Sequence, residues 1–554
     1  MSERAAIYLR VSTELPHRSG LLQLRPVVLG VVFALAIGFA GCDSSGSSGI
    51  EPKVRDGAIV IRSFAELRQI KQNEDFPLDG DYVLADDINA STVGAQDSTG
   101  QFRPIGQDGE PFTGRFDGKG HTISGLTLSA RTSGTDTLGL FGYAKDAVIQ
   151  NLRLEDVSIR GGRPVGMLVG LNQFSDIRDI QVSGRIASAR RAGGVVGRNE
   201  GGTVENAEAQ GTIQESSRGV GGLVGLNNGG TVRSSKSGVD LSGVQNRVGG
   251  LVGFNGALTS NGATGPGTIS GSVAKGDVVT GDVASNGVGG LVGVNNAQVE
   301  DSRATGAVIA TGTYAGGLAA INDGVIRGSS AHGDVKGKEV EPSRPVAAVG
   351  GLVALNSQGR VLQCSASGDV TLETVTSKLA NSFIGGLVAF MSSGAAHVAE
   401  SKATGSVSAT GALRVNAGGL VGTIFGGSVS KSYTTGRVGG VAAENAGGLV
   451  GKMTGGSIRR SFAAGTAVLA AEHEGGVTGE NIENGSASLL FWDMEQTNQG
   501  NAVGNGKEIE ATGLTTDEMQ GESARENMQG LNFEETWQVV DGDYPALFWE
   551  DIQR

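Results

Sequence analysis

The stretch Gly221-Gly-Leu-Val-Gly-Leu-Asn-Asn-Gly-Gly-Thr-Val-Arg-Ser-Ser-Lys-Ser-Gly-Val-Asp-Leu-Ser242 holds the plan of most of this chain. Its apolar residues alternate in short runs, Gly or Asn separates the runs, and helical spacing is absent. The opening phrase, Gly-Gly-Leu-Val-Gly, stands intact at Gly221–Gly225, Gly249–Gly253, Gly289–Gly293, Gly418–Gly422 and Gly447–Gly451. Looser copies run from Leu138–Gly142 to Gly475–Gly479. Aligned on the residue before the Leu, twelve copies fall at 139, 167, 194, 222, 250, 290, 317, 351, 386, 419, 448 and 476. The steps between them are 28, 27, 28, 28, 40, 27, 34, 35, 33, 29 and 28 residues.

A step near 28 residues, kept this long, is one supersecondary unit stacked many times. Three short strands and three turns fill such a step at ~3.3 Å per strand residue. The chain therefore predicts an all-β fold: a right-handed parallel β-helix (β-solenoid) of about twelve ~28-residue repeats with N- and C-terminal caps. At ~4.8 Å per coil, the core is a rod of roughly 55–60 Å.

The aligned columns divide the work. One column is aliphatic throughout and includes Leu223, Leu251 and Leu291, which predicts a stacked interior. The Gly before it suits a positive φ or a close approach to the next coil. Five residues after each alignment point stand Asn172, Asn199, Asn227, Asn255, Asn295, Asn322 and Asn356, in seven consecutive repeats. Asn tolerates left-handed corners, and stacked amides can bond coil to coil. Met391, Ile424 and Met453 then replace it, which reads as a corner turning drier. Cys364 sits in a column otherwise held by Ser235, Ser272, Ser302, Ser329, Ser401, Ser432 and Ser461, and reads as a small buried residue with no redox role.

Composition agrees with a thin stacked core: Gly is 94 of 554 residues, Pro only 11, and aromatics 5%. The formal net charge is −13 without a basic run, which argues against nucleic acid as a partner. Arg18 and Arg25 precede an apolar run over 27–40, the right length for a signal h-region and too short to span a bilayer comfortably. It ends in Phe39-Ala40-Gly41-Cys42, which resembles a bacterial lipobox with Cys42 as the lipidated residue. The expected organisation is a lipoprotein signal peptide over 1–41, a Ser/Gly tether over 42–58, and an N-terminal cap with first strands over 59–137. The solenoid follows over 138–485 and an aromatic-rich C-terminal cap over 486–554. In the N-terminal cap, Ser63-Phe-Ala-Glu66 predicts a capped helix from about 64 to 72, and 112–126 reads as strand, Asp-Gly turn, strand. All three Trp lie in the last segment, read as a plug on the final coil or, more sharply, a sugar-binding platform.

Three inserts break the step: one over 256–267, and two at matching phase over 336–345 and about 372–383. Paired inserts on one face are where repeat proteins often bind. Asp334 and Asp369 precede those two in Gly-Asp-Val, one coil apart, and with Lys336 and Arg344 mark the expected ligand face. Stacked at ~4.8 Å, the two carboxylates fit a glycosidase pair, a weak Ca²⁺ site or plain turn chemistry. No paired metal-ligand spacing, phosphate loop or nucleophile elbow occurs, so neither metal nor other cofactor is expected beyond that Ca²⁺.

These motifs resemble the GLUG-repeat family of bacterial surface proteins, named for Gly-Leu-(apolar)-Gly. The lead-in Phe112-Thr-Gly-Arg-Phe-Asp-Gly-Lys-Gly-His-Thr-Ile-Ser-Gly-Leu126 with Gly139-Leu-Phe-Gly142, and the ending Phe491-Trp-Asp, Gly513-Leu-Thr-Thr-Asp-Glu-Met519 and Gly542-Asp-Tyr-Pro-Ala-Leu547, look like that family's own. The resemblance runs from about 59 to 554 and implies a surface-displayed adhesin-type solenoid with no catalytic residues. Some relatives add a zinc peptidase domain, but no His-Glu-x-x-His is found here. The expectation is a monomeric lipid-anchored protein of the bacterial cell envelope, at the cell surface or outer membrane, with no enzymatic activity. It would act as a spacer or bind a glycan or a surface protein; the alternative is a glycan-active β-helix enzyme, a polysaccharide hydrolase or lyase.

Overall fold

The computed structural model describes residues 51–91, 102–107, 109–131, 136–257, 266–281, 287–312, 314–338, 348–373, 381–410, 414–441, 443–469, 471–482 and 485–550. The expected leader, Cys42, Arg344 and the middle of each insert lie outside the described residues.

One coil shows how the sequence becomes a solenoid. Val220–Gly221 lies in an eleven-stranded sheet, the glycine face, and Val224–Asn228 in a thirteen-stranded sheet, the asparagine face. Thr231–Arg233 and Lys236–Val244 lie in a third sheet, the long face. Each strand pairs in parallel with its counterpart one repeat away: Gly221 with Gly249, Val224 with Val252, Thr231 with Thr268. The 40-residue step leaves this register unshifted, since Val252 pairs with Val292 and Asn255 with Asn295. The protein is thus a parallel β-solenoid, and the described ends of its inserts sit between faces.

The corner between the glycine and asparagine faces explains the recurrent phrase. Leu223, Leu251 and Leu291 are fully buried and point inward. The Leu251 carbonyl accepts from both Leu223 N and Val224 N, at 2.9 and 3.0 Å, and the Leu291 carbonyl does the same for the next coil. The glycines before them do not have positive φ, so close approach is their reason. A Cβ on Gly250 would lie 2.1 Å from the Gly290 carbonyl oxygen, one on Gly290 2.1 Å from that of Gly317, and one on Gly317 2.0 Å from that of Gly351. The first Gly of the phrase is as tight: a Cβ on Gly221 would meet the Val224 carbonyl oxygen at 2.0 Å.

The left-handed corner lies elsewhere, on the long face. Ser234, Asp301, Gln363, Glu400, Lys431 and Arg460 have φ of 50, 48, 54, 49, 49 and 51°. Such a conformation costs about 1–2 kcal/mol for a residue with a side chain, and the serine that follows offsets it. Ser235 Oγ donates to the Arg233 carbonyl at 2.8 Å and accepts from Ala207 N at 3.2 Å, and Ser302, Ser401, Ser432 and Ser461 repeat the pattern. Cys364 takes this place in its coil, with Sγ 3.1 Å from the Leu362 carbonyl. Burial pushes its thiol up to about 12, so the neutral form persists through any physiological pH. Native protein is expected to resist iodoacetamide at Cys364 and unfolded protein to react fully; rapid native alkylation would contradict this burial.

Both ends depart from expectation. The 112–126 stretch is no hairpin: Arg115–Asp117 pairs in parallel with Val148–Gln150, and Thr122–Ser124 with Arg153–Glu155. Its Asp-Gly turn is a solenoid corner, built on the buried Asp117. Burial pushes that carboxyl up, but hydrogen bonds from Asn151, Lys119 N and Gln150 outweigh it and hold the group well below the usual range. The helix is shorter than expected, Phe64–Leu67, with Ser63 as its N-cap. Parallel stacking on the long face begins at Ala58–Ile61, whose outer edge is covered by antiparallel Lys53–Arg55, inside the stretch read as tether. It continues to Ala511–Leu514, past residue 485.

Candidate functional site

Two ladders and one cleft are built on this scaffold. The first ladder is buried. Asn172, Asn199, Asn227, Asn255, Asn295 and Asn322 each donate an Nδ2 hydrogen to the Oδ1 of the next, ending on Asn356, at 2.8, 2.9, 2.9, 2.9, 2.9 and 3.0 Å. In the first five the second hydrogen goes to a nearby carbonyl, as from Asn199 to Gly202 O and from Asn227 to Gly230 O, both at 2.8 Å. These residues do not have positive φ; they lie at the ends of ordinary strands. The ladder stops where its partners stop. Asn172 Oδ1, facing the Ala144 coil, and Asn356 Nδ2, facing Met391, are buried without partners among the described residues. Met391, Ile424 and Met453 are fully buried beyond it. This column is structure, with no access for a ligand.

The second ladder is exposed. Asp334 Oδ1 accepts from Asp369 N at 2.9 Å, and Asp369 Oδ1 from Ser406 N at 2.9 Å. Asp240 and Asp277 do the same at 3.0 and 2.8 Å. Each carboxylate therefore caps the coil that follows, which is the turn reading among the alternatives. Lys336 pairs with Glu373 and stands within one coil of Asp369. Among the described residues no group of three or more His, Cys, Asp or Glu side chains converges on a metal position.

The cleft was not legible as such. An outward column on the long face runs Ser330, Ser365, Lys402, Tyr433, Phe462, Phe491, turning from polar to aromatic over the last coils. The C-terminal segment folds back onto that aromatic end. Helices Thr516–Met519, started by a Thr515/Glu518 capping box, and Gly521–Asn527 lead to an antiparallel pair, Trp537–Val540 and Asp543–Leu547. Fully buried Trp537 packs its ring 5.8 Å from Tyr433 and 5.4 Å from Phe462. The expected plug is thus divided: Trp492 fills the interior of the last coils, with Nε1 donating to Gln499 O at 2.9 Å, while 515–550 docks on the side.

Glu550 locks the dock. Its carboxylate accepts from Tyr433 OH at 3.0 Å on each oxygen, from Leu547 N at 2.8 Å, and pairs with Lys402. Trp549 Nε1 donates to the Glu400 carbonyl at 2.8 Å. Burial, then the Glu550 charge, pushes the Tyr433 hydroxyl far above its ordinary value. Glu550→Gln is expected to loosen the lobe by about 1–3 kcal/mol, reduced from a fully buried pair because Lys402 is partly exposed. Limited proteolysis should then cut 515–550 sooner; an unchanged pattern would discount the lock. Between lobe and long face lies a cleft of about 820 Å³, with Ser367, Thr404 and Thr435 on its floor and Tyr544 and Trp549 on its wall.

The GLUG motif family matches residues 188–214 and 346–371. The chain carries GLUG repeats. It is 36% identical over 144 residues to Halomucin of Haloquadratum walsbyi, covering 25% of this chain and 2% of that protein. It is 30% identical over 155 residues to Immunoglobulin A1 protease of Streptococcus sanguinis, covering 28% of this chain and 8% of that one. The chain thus spans a small fraction of the curated relatives that it matches. A solved IgA1 protease covers 59% of this chain and 21% of its own at 19% identity, with a TM-score of 0.31, too loose to carry an argument beside the strand pairings above. The GLUG repeats correct one expectation. A stretch like this one is part of a protein named as a protease, so the reading of the chain as devoid of enzymatic activity is overturned.

Proposed function

We propose that this GLUG-repeat chain is a lipid-anchored protein of the bacterial cell envelope, displayed at the cell surface or outer membrane, whose solenoid carries a surface for binding or spacing. The observation behind this reading is the unbroken parallel stack from Ala58 to Leu514, a stiff scaffold with coil after coil of repeated outward columns. Such scaffolds hold extended surfaces rather than one enclosed pocket. The leader pattern, Cys42 and the Ser/Gly stretch after it support the anchor. Repeats shared with Halomucin and Immunoglobulin A1 protease support an envelope or extracellular setting. The partners are the membrane, through the lipid, and a glycan or a surface protein.

Cys42→Ser is expected to abolish incorporation of labelled palmitate and move the protein from the membrane to the soluble fraction. Protease added to intact cells should degrade the wild-type chain. Unchanged membrane retention in the variant would sink the anchor, and full protection on intact cells would sink surface display.

A further inference from the structure

We propose that the cleft between the C-terminal lobe and the long face binds a neutral polysaccharide strand laid along the solenoid axis. The floor supplies the first argument. Ser367, Thr404 and Thr435 each follow an aligned position, Ala366, Ala403 and Thr434, on consecutive coils, so their hydroxyls repeat at the ~4.8 Å coil spacing. Thr404 and Thr435 make no side-chain hydrogen bond among the described residues, and both line the cleft. Ser367 Oγ is hydrogen-bonded to His332 Nδ1 at 2.9 Å, which leaves Thr404 and Thr435 as two adjacent unpaired hydroxyls, suited to a polymer that presents its own hydroxyls at regular intervals.

The wall supplies the second. Trp549 is fixed by its bond to the Glu400 carbonyl, and Tyr544 by its hydroxyl, which donates to Asp493 at 2.6 Å. With their polar tips engaged, the two rings offer the cleft apolar surface in a set orientation, which stacks on the C–H face of a sugar at little entropic cost. Charge supplies the third. The cationic Lys402 pairs with Glu550, and partial desolvation, then Arg303, hold His332 at the far end below the ordinary imidazole value. Among the described residues that line the cleft no basic cluster remains to select a phosphate or carboxylate polymer. Strands of the long face are paired on both sides here, so the floor of the cleft offers no edge for strand addition by a peptide. The proposal concerns a different surface from the insert face and is independent of the anchor.

The test titrates the full chain, purified in detergent, with soluble hexasaccharides of glucose, mannose and N-acetylglucosamine. Tryptophan fluorescence and calorimetry are the readouts. At least one of these sugars is expected to bind and to change the fluorescence, and Trp549→Phe should remove that change. The exposed-floor double variant Thr404→Val/Thr435→Val should weaken binding about tenfold, the loss of hydrogen bonds without loss of shape, at an unchanged melting temperature. The proposal is overturned if none of the three binds folded protein. It is equally overturned if the folded double variant binds as well as wild type, or if only an acidic polysaccharide or a peptide binds.

Discussion

Asn227→Ala is expected to lower stability by about 3–4 kcal/mol, the sum of three hydrogen bonds lost from a fully buried site. Asn227 accepts from Asn199 at 2.9 Å, donates to Asn255 at 2.9 Å and donates to Gly230 O at 2.8 Å. Its removal strips Asn255 Oδ1 of its donor in a column with no water access. Asn356→Ala gives the contrast. That side chain ends the ladder with its Nδ2 already unpaired, and it loses only the bond from Asn322. The cost there should be about 1 kcal/mol. Urea denaturation of the two variants measures the difference, and equal midpoints would mean that the ladder contributes nothing beyond local packing. Because the coils interact mainly with neighbours, the Asn227→Ala transition should also broaden, the break at that coil uncoupling the two halves.

Gly250→Ala should be as damaging, for a reason of space. The added Cβ would fall 2.1 Å from the Gly290 carbonyl oxygen. The obstacle is backbone, itself bonded to the following coil, so relief requires the coils to part. A loss of about 3 kcal/mol or more is expected, at or above the upper end for overpacking. Gly394→Ala is the control: none of the described residues lies within 4 Å of its Cβ position and its φ is not positive. That change should be neutral or stabilise by about 0.4–1 kcal/mol, by restricting the unfolded chain. Thermal unfolding of both variants decides the matter; a well-tolerated Gly250→Ala would mean that the solenoid is looser than its carbonyl contacts imply.

The sequence made the solenoid legible because a stacked fold writes its contacts as columns. Leu223 over Leu251 over Leu291, and Asn227 over Asn255 over Asn295, are repeats in the text before they are contacts in space. What column-reading misplaced was the conformation behind a residue type. The Gly of the phrase answers to a neighbouring carbonyl and not to φ, while left-handed φ falls on Asp301, Gln363 and Glu400, residues with no shared chemistry to reveal them. Likewise a Cys in a Ser column was readable, because only small size and weak hydrogen bonds are asked of it.

The cleft was not readable from the terminal aromatics alone. Trp492, Trp537 and Trp549 cluster in sequence, yet one enters the core, one packs on the flank and one edges the cleft. The missed signal lay earlier in the chain. Tyr433, Phe462 and Phe491 occupy an outward column where previous coils carry Ser330, Ser365 and Lys402. Three consecutive aromatics on a solvent face require a cover, and 515–550 is the segment that supplies it. Asp334 and Asp369 lie on consecutive coils, but register alone does not tell that both carboxylates cap backbone of the following coil.

The amide ladder also fixes how this protein can change length. Every rung points the same way, donor toward the C-terminus, so a run of any number of asparagines has one idle acceptor at its start and one idle donor at its end. Duplicating a coil within the run adds a bond and no new defect; deleting one removes a bond and heals. The penalty belongs to the termini of the run and not to its extent. Growth or shrinkage by whole repeats inside 172–356 is therefore nearly free of hydrogen-bond defects, whereas a coil lacking Asn inserted in the middle would create two more idle ends. A lineage could tune the reach of such a rod by copying its interior, and leave the docked lobe at its far end untouched.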